Sequence, residues 1–150
     1  MSRPALVPLG TPFRGDDAVG RLVVDAVVAT GADVDVLECG DEPTRLIDQL
    51  EGRDLVVVVD AVASSGPSGT VHRVICDDGR LPRELSLAST HAMGIADALD
   101  LARALGRGPR RVVLVGIEGR AFRLGDAVSS EVESAVRGAV AEVLDAVDRG

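Results

Sequence analysis

The chain has 150 residues, 46% of them hydrophobic, with 16 basic and 24 acidic side chains and a net charge of −8. Every basic residue is Arg; Lys, Asn, Tyr and Trp do not occur, and the aromatic residues are Phe13 and Phe122. This composition excludes a lysine Schiff base and a P-loop lysine. It also lacks the stacking platforms and positive surface of nucleic-acid binders. The length fits one domain over residues 1–150. Cys39 and Cys76 match no metal or redox spacing. With no signal-peptide pattern and no apolar run near ~18–20 residues, the expectation is a cytoplasmic protein without a membrane span.

In chain order, residues 5–9 read as a first strand that ends at Gly10. Val19, Leu22, Val23, Ala26 and Val27 then repeat at helical spacing, and that helix closes near Gly31. Residues 34–38 predict a short strand, and residues 44–50 a modest helix with Leu46, Ile47 and Leu50 inward. Residues 55–59 are consecutive aliphatics ending in Asp60, the pattern of a central strand buried on both faces. The link from Ser64 to Gly69 is too short for a helical crossover, so residues 70–75 should run antiparallel to the strand before them. From His91 a helical face carries Ile95, Ala98, Leu99, Ala102 and Leu105, stopped at Gly106. Residues 111–116 hold another doubly buried run. The last helix keeps its spacing from Val132 to Val147, with Ser130 and Glu133 as a capping box. Strands alternating with helices predict a mostly parallel sheet covered on both faces.

Ligands of such sheets sit outside the carboxyl ends of the strands. There the chain places Asp16 and Asp17, Glu38, Asp60, His91 and Glu118. Each has an ordinary structural use: Asp16 as a helix cap, Asp17 as a dipole partner, Asp60 in a turn, His91 in a first helical turn. Crowded carboxylates repel unless a cation or proton relieves them. Two carboxylates and an imidazole from separate loops would suit nickel or zinc with coordination positions left open. Other patterns are weaker. The loop from Gly10 to Gly15 lacks the second glycine of a nucleotide fingerprint, and Pro12 removes an N–H. Ser64 and Ser65 have no base nearby in sequence, His72 reads as an edge histidine away from the rim, and Cys39, near the rim, reads as a small buried thiol more readily than as a thiol ligand.

The segment Leu9-Gly10-Thr11-Pro12-Phe13-Arg14-Gly15-Asp16-Asp17-Ala18-Val19-Gly20 resembles the opening motif of the hydrogenase maturation peptidases. The likeness continues through Val58-Val59-Asp60-Ala61, Ser89-Thr90-His91-Ala92-Met93-Gly94 and Val115-Gly116-Ile117-Glu118, in order and over essentially the whole chain. Thr11 stands where the family usually has Asn, Ala18 where Gly is frequent, and Gly119 where Pro is usual. The resemblance implies a three-layer α/β/α sandwich, phosphorylase/hydrolase-like, with a five-stranded mixed sheet in order 2-1-3-5-4 and strand 4 antiparallel. It also implies metal ligation by Asp17, Asp60 and His91. The activity it implies is a cytoplasmic endopeptidase that trims the C-terminal extension of a [NiFe]-hydrogenase large-subunit precursor after nickel insertion. Nickel would then arrive with the substrate, and the enzyme would work as a monomer, with no nucleic-acid or membrane partner.

No self-contained nucleophile and base adjoin in the sequence, which favours metal-assisted hydrolysis with Asp16 or Glu38 as candidate bases. A hydrolase with resident zinc acting on another peptide, and a non-catalytic maturation homologue, are the alternative readings. A phosphate-binding domain ranks last, because the acidic rim repels that ligand.

Overall fold

A computed structural model describes residues 2–40, 42–76 and 91–149, apart from the side chains of Pro43 and residues 91–93. The aliphatic runs become the strands β1 (Ala5–Pro8), β2 (Asp35–Val36), β3 (Val56–Val62), β4 (Val71–Cys76) and β5 (Val112–Glu118). The helical periods become α1 (Val19–Ala29), α2 (Ile47–Leu50), α3 (His91–Ala104) and α4 (Ser130–Arg149). The sheet order is β2-β1-β3-β5-β4, with β4 antiparallel to β5 and the other pairs parallel.

Every residue of β3 and β5 is buried, as unbroken aliphatic runs require of strands covered on both faces. Their side chains alternate between two cores. Val57, Val59 and Ala61 pack with Val19, Val23, Val24 and Val27 of α1 and with Val132, Ala139 and Val143 of α4. Val56 and Val58 pack on the opposite face with Leu46, Leu50, Ile95 and Leu99. The two cores are the filling of a three-layer sandwich, and each buried Val contributes about 1.5–3 kcal/mol relative to exposure. Edge strand β4 is shielded by charge: Arg73 donates to Asp145 at 2.6 Å and to Glu142 at 3.3 Å on α4.

Five local expectations change. β3 runs on to Val62, past Asp60, because β5 continues to Glu118 and keeps offering it ladder partners. The second strand shrinks to Asp35–Val36, and the helix expected over residues 44–50 is a 3-10 turn, Pro43–Leu46, leading into α2. A further 3-10 turn, Gly15–Ala18, precedes α1, so Asp16 does not cap that helix. Finally, α4 begins at Ser130 itself, and Ser130 and Glu133 exchange no side-chain hydrogen bond among the described residues. The preceding Ser129 spends its hydroxyl on Asp16 instead, at 2.9 Å.

The packing of α3 orients its first residue. Arg107, just past its end, pairs with Glu51 at 2.9 Å, and the Arg110 N–H donates to the Arg53 carbonyl at 2.9 Å, ahead of β3. The far end of α3 therefore lies where β3 starts. Its 14 residues span about 21 Å, close to the length of the seven-residue β3 at about 3.3 Å per residue. His91 thus opens α3 at the carboxyl end of the sheet.

Candidate functional site

From β1 the chain moves outward to β2 on one side, and from β3 it builds outward on the other. The seam between β1 and β3 is thus the topological switch point, where open α/β sheets bind ligands. The Leu9 N–H donates to the Val59 carbonyl at 2.9 Å, which carries the seam one residue beyond β1. Asp60 follows on one side of the seam and the loop from Gly10 on the other.

That loop is folded around Asp17. The Thr11 N–H donates to Asp17 Oδ2 at 2.8 Å, and the Asp17 N–H donates to the Arg14 carbonyl at 3.2 Å. Gly10 permits the turn: its φ is +110°, and a Cβ there would stand 1.9 Å from the Asp17 carbonyl oxygen and 3.4 Å from its Oδ1. Gly20 seats the helix that follows, because a Cβ there would meet the Val59 and Leu9 carbonyl oxygens at 2.5 and 2.6 Å. The glycines that bracket the Gly15-Asp16-Asp17 motif therefore mark close backbone approaches.

Asp17 is buried, and its Oδ1 has no hydrogen-bond partner among the described residues. An unpartnered buried oxygen of this kind costs free energy in isolation, and it suits a cation or a donor brought by a ligand. Asp60 is fully buried and accepts from the Ala61 N–H at 2.8 Å through Oδ1. It alternates with Val56 and Val58, so its side chain leaves the sheet on the α3 face. The backbone of His91 lies at this same end, while its side chain, like Ser89 and Thr90, falls outside the described residues. Among the described residues no three His, Cys, Asp or Glu side chains gather as a metal set.

Both candidate bases are engaged by other groups of the protein. Asp16 is buried, and its carboxylate accepts the N–H groups of Arg120 at 2.8 Å, Ala121 at 2.9 Å and Ser129 at 2.7 Å, besides the Ser129 hydroxyl. Burial alone would raise its pKa, but these donors outweigh it and hold the carboxyl below the usual carboxylate range. Asp16 is a staple between the first loop and residues 120–129. Glu38 is 65% exposed and committed to an ion pair with Arg21.

Glu118 shows a pattern that sequence spacing missed. It is buried at the end of β5, where Oε1 accepts the Ser64 hydroxyl and lies 3.0 Å from His72 Nε2, while Oε2 accepts the Ser64 N–H at 3.2 Å. His72 is an edge-strand residue, as expected, but the antiparallel register sets it opposite Gly116, beside the rim acid. Strand register, had it been known, would have paired them. The weak nucleotide-loop pattern also fails physically, since the Thr11 N–H is spent on Asp17. Burial pushes the half-buried Cys39 thiol up, away from an easily formed thiolate.

Comparison with known proteins agrees with this architecture. The family model "HycI: Hydrogenase maturation protease" matches residues 23–147. The hydrogenase expression/formation protein HupD of Thiocapsa roseopersicina is 31% identical over 115 residues, covering 73% of this chain and 51% of that protein. The chain thus spans about half the length of that relative. The hydrogenase 2 maturation protease of Escherichia coli (strain K12) is 24% identical, covering 97% of this chain and 90% of its own. Among solved structures, the E. coli hydrogenase maturating endopeptidase HybD superposes with a TM-score of 0.84 at 24% identity, over 99% of this chain and 93% of that one. The [NiFe] hydrogenase maturation protease HybD of Thermococcus kodakarensis gives 0.79 at 27% identity, over 97% and 99%. With the order of strands and the family match in agreement, the chain belongs to the hydrogenase maturation protease family.

Proposed function

We propose that the chain is an endopeptidase that removes the C-terminal extension of a [NiFe]-hydrogenase large-subunit precursor after nickel insertion. In this reading Asp17, Asp60 and His91 engage nickel carried by the substrate and so bring the scissile bond to the β1–β3 seam. The observation that carries it is the buried Oδ1 of Asp17, which has no hydrogen-bond partner among the described residues. The Thr11 N–H holds Oδ2 of the same carboxylate at 2.8 Å, which leaves Oδ1 oriented and available. Asp16 keeps the loop in place through residues 120–129. A bound cation polarises a neighbouring carbonyl and lowers the pKa of an adjacent water. No described side chain is assigned as general base. The reading includes a monomeric enzyme working in the cytoplasm; among the described residues no helix is long and apolar enough to cross a membrane.

The test incubates nickel-loaded and nickel-free precursor with the wild-type protein and with His91→Ala and Asp60→Ala, following product by mass. Loaded precursor should be shortened by the wild type, with both variants slower by about 10²-fold or more. Wild-type cleavage by both variants would reject the ligand assignment. Binding without a shortened product would make the chain a binding module, and stoichiometric, tightly held zinc in the purified protein would favour a resident-metal hydrolase.

A further inference from the structure

Two large apolar side chains stand out from one edge of the molecule. Phe13 is 79% exposed and Leu124 75%, the highest values for large hydrophobics among the described residues. Their loops are more than a hundred residues apart, yet they are stitched together. The Gly125 N–H donates to the Phe13 carbonyl at 2.7 Å, and the Gly15 N–H to the Asp126 carbonyl at 3.1 Å. Beneath them Asp16 binds the same two loops through the Arg120, Ala121 and Ser129 N–H groups. The two tips therefore form one rigid lip.

The lip adjoins the candidate site. Thr11 and Arg14, on either side of Phe13, are the residues whose backbones bond Asp17. Phe13 itself has φ 68°, a left-handed conformation that bulky L residues rarely adopt. The loop thus holds an aromatic side chain in solvent against both its hydrophobicity and its backbone preference, and strain of this kind gathers at functional sites. Charge marks the same place. In a chain of net charge −8, Arg14 and Arg123 sit next to the two apolar residues, and neither forms an ion pair among the described residues. Arg120, by contrast, is paired with Glu131 at 3.3 Å.

We infer that Phe13 and Leu124, flanked by Arg14 and Arg123, form a docking lip for the client precursor, gripping a segment that presents an apolar side chain beside a carboxylate. This inference rests on the peptidase reading and names the surface that selects its substrate. A preorganised apolar anchor ringed by unpaired charge gives affinity with little ordering cost and steers an acidic partner.

The experiment compares the wild type with Phe13→Gly, Leu124→Ser, their double variant and the charge reversal Arg14→Glu/Arg123→Glu. The probe is a nickel-loaded large-subunit precursor. Glycine accepts φ 68° freely, so Phe13→Gly should melt at or above the wild-type temperature. The double variant should raise KM about tenfold or more while kcat moves far less. The charge reversal should raise KM too and flatten its salt dependence. Variants with wild-type KM would overturn the inference, as would sedimentation showing a wild-type dimer that Phe13→Gly dissociates, since the lip would then serve a second copy. If the wild type leaves the precursor uncut, the peptidase reading fails, and calorimetric binding still decides the lip. Tenfold weaker binding by the double variant supports it, and equal or absent binding overturns it.

Discussion

Asp16 and Asp17 are neighbours in one 3-10 turn and meet opposite fates. Successive residues of such a turn point about 120° apart. Asp16 therefore faces residues 120–129, whose N–H groups surround its carboxylate, and Asp17 faces the β1–β3 seam, where among the described residues the Thr11 N–H meets Oδ2 and Oδ1 has no partner. Glu118, at the other side of the rim, resembles Asp16: Ser64 and His72 occupy both of its oxygens. Three buried acids that look alike in the sequence thus divide by what the protein itself supplies. The saturated carboxylates hold loops together, and Asp17, which has an oxygen to spare among the described residues, is a candidate for binding beside Asp60.

The sharpest way to break this contrast is at the seam. Asp17→Asn removes the charge while keeping the size and the Thr11 contact. It should lower precursor processing by about 10²–10³-fold, read as product mass over time, with the melting temperature within about 2 °C of the wild type. A large fall in stability with proportionate loss of activity would make Asp17 another staple. Asp16→Ala should do the reverse. Three N–H groups lose their acceptor, and at about 1 kcal/mol or more each the loss is about 3 kcal/mol. For a chain of this size that lowers the melting temperature by about 6–12 °C, measured by calorimetry.

Glu118→Gln is the milder case. The amide keeps one acceptor oxygen and gives up the charge that holds Ser64 and His72, so a cost of about 1–2 kcal/mol is expected in urea unfolding. The smallest effect is in pH. The folded pKa of Asp16 lies below its unfolded value, so its stabilisation is complete above the unfolded value of about 4 and drains away as pH falls through the folded one. Melting curves from pH 7 to pH 3 should show Asp16→Asn losing less stability on acidification than the wild type. Asp35 and Asp145, also lowered in pKa chiefly by bonds to Arg53 and Arg73, titrate in both proteins and cancel from the difference.

Much of this was readable from local pattern. The buried runs at Val56, Val57, Val58 and Val59 and at Val112, Val113, Leu114 and Val115, the apolar stripes of α1 and α4, and the short link before β4 each depend on residues close in the chain. Periodicity reports burial because a strand or helix presents its faces at a fixed repeat. The motif glycines were legible as well, and the structure supplies their reason in the backbone approaches at Gly10 and Gly20. The extension of β3 beyond Asp60 was not, since a strand ends where its neighbour stops offering partners. Nor was the Ser129 hydroxyl, which lies over a hundred residues from the carboxylate it binds.

The sequence by itself therefore determined the alternation of elements, the doubly covered sheet and the gathering of acids at its carboxyl end. Tertiary structure alone decided which acid is bonded and which is left open, because that depends on donors delivered by loops distant in the chain, whose positions no local repeat encodes.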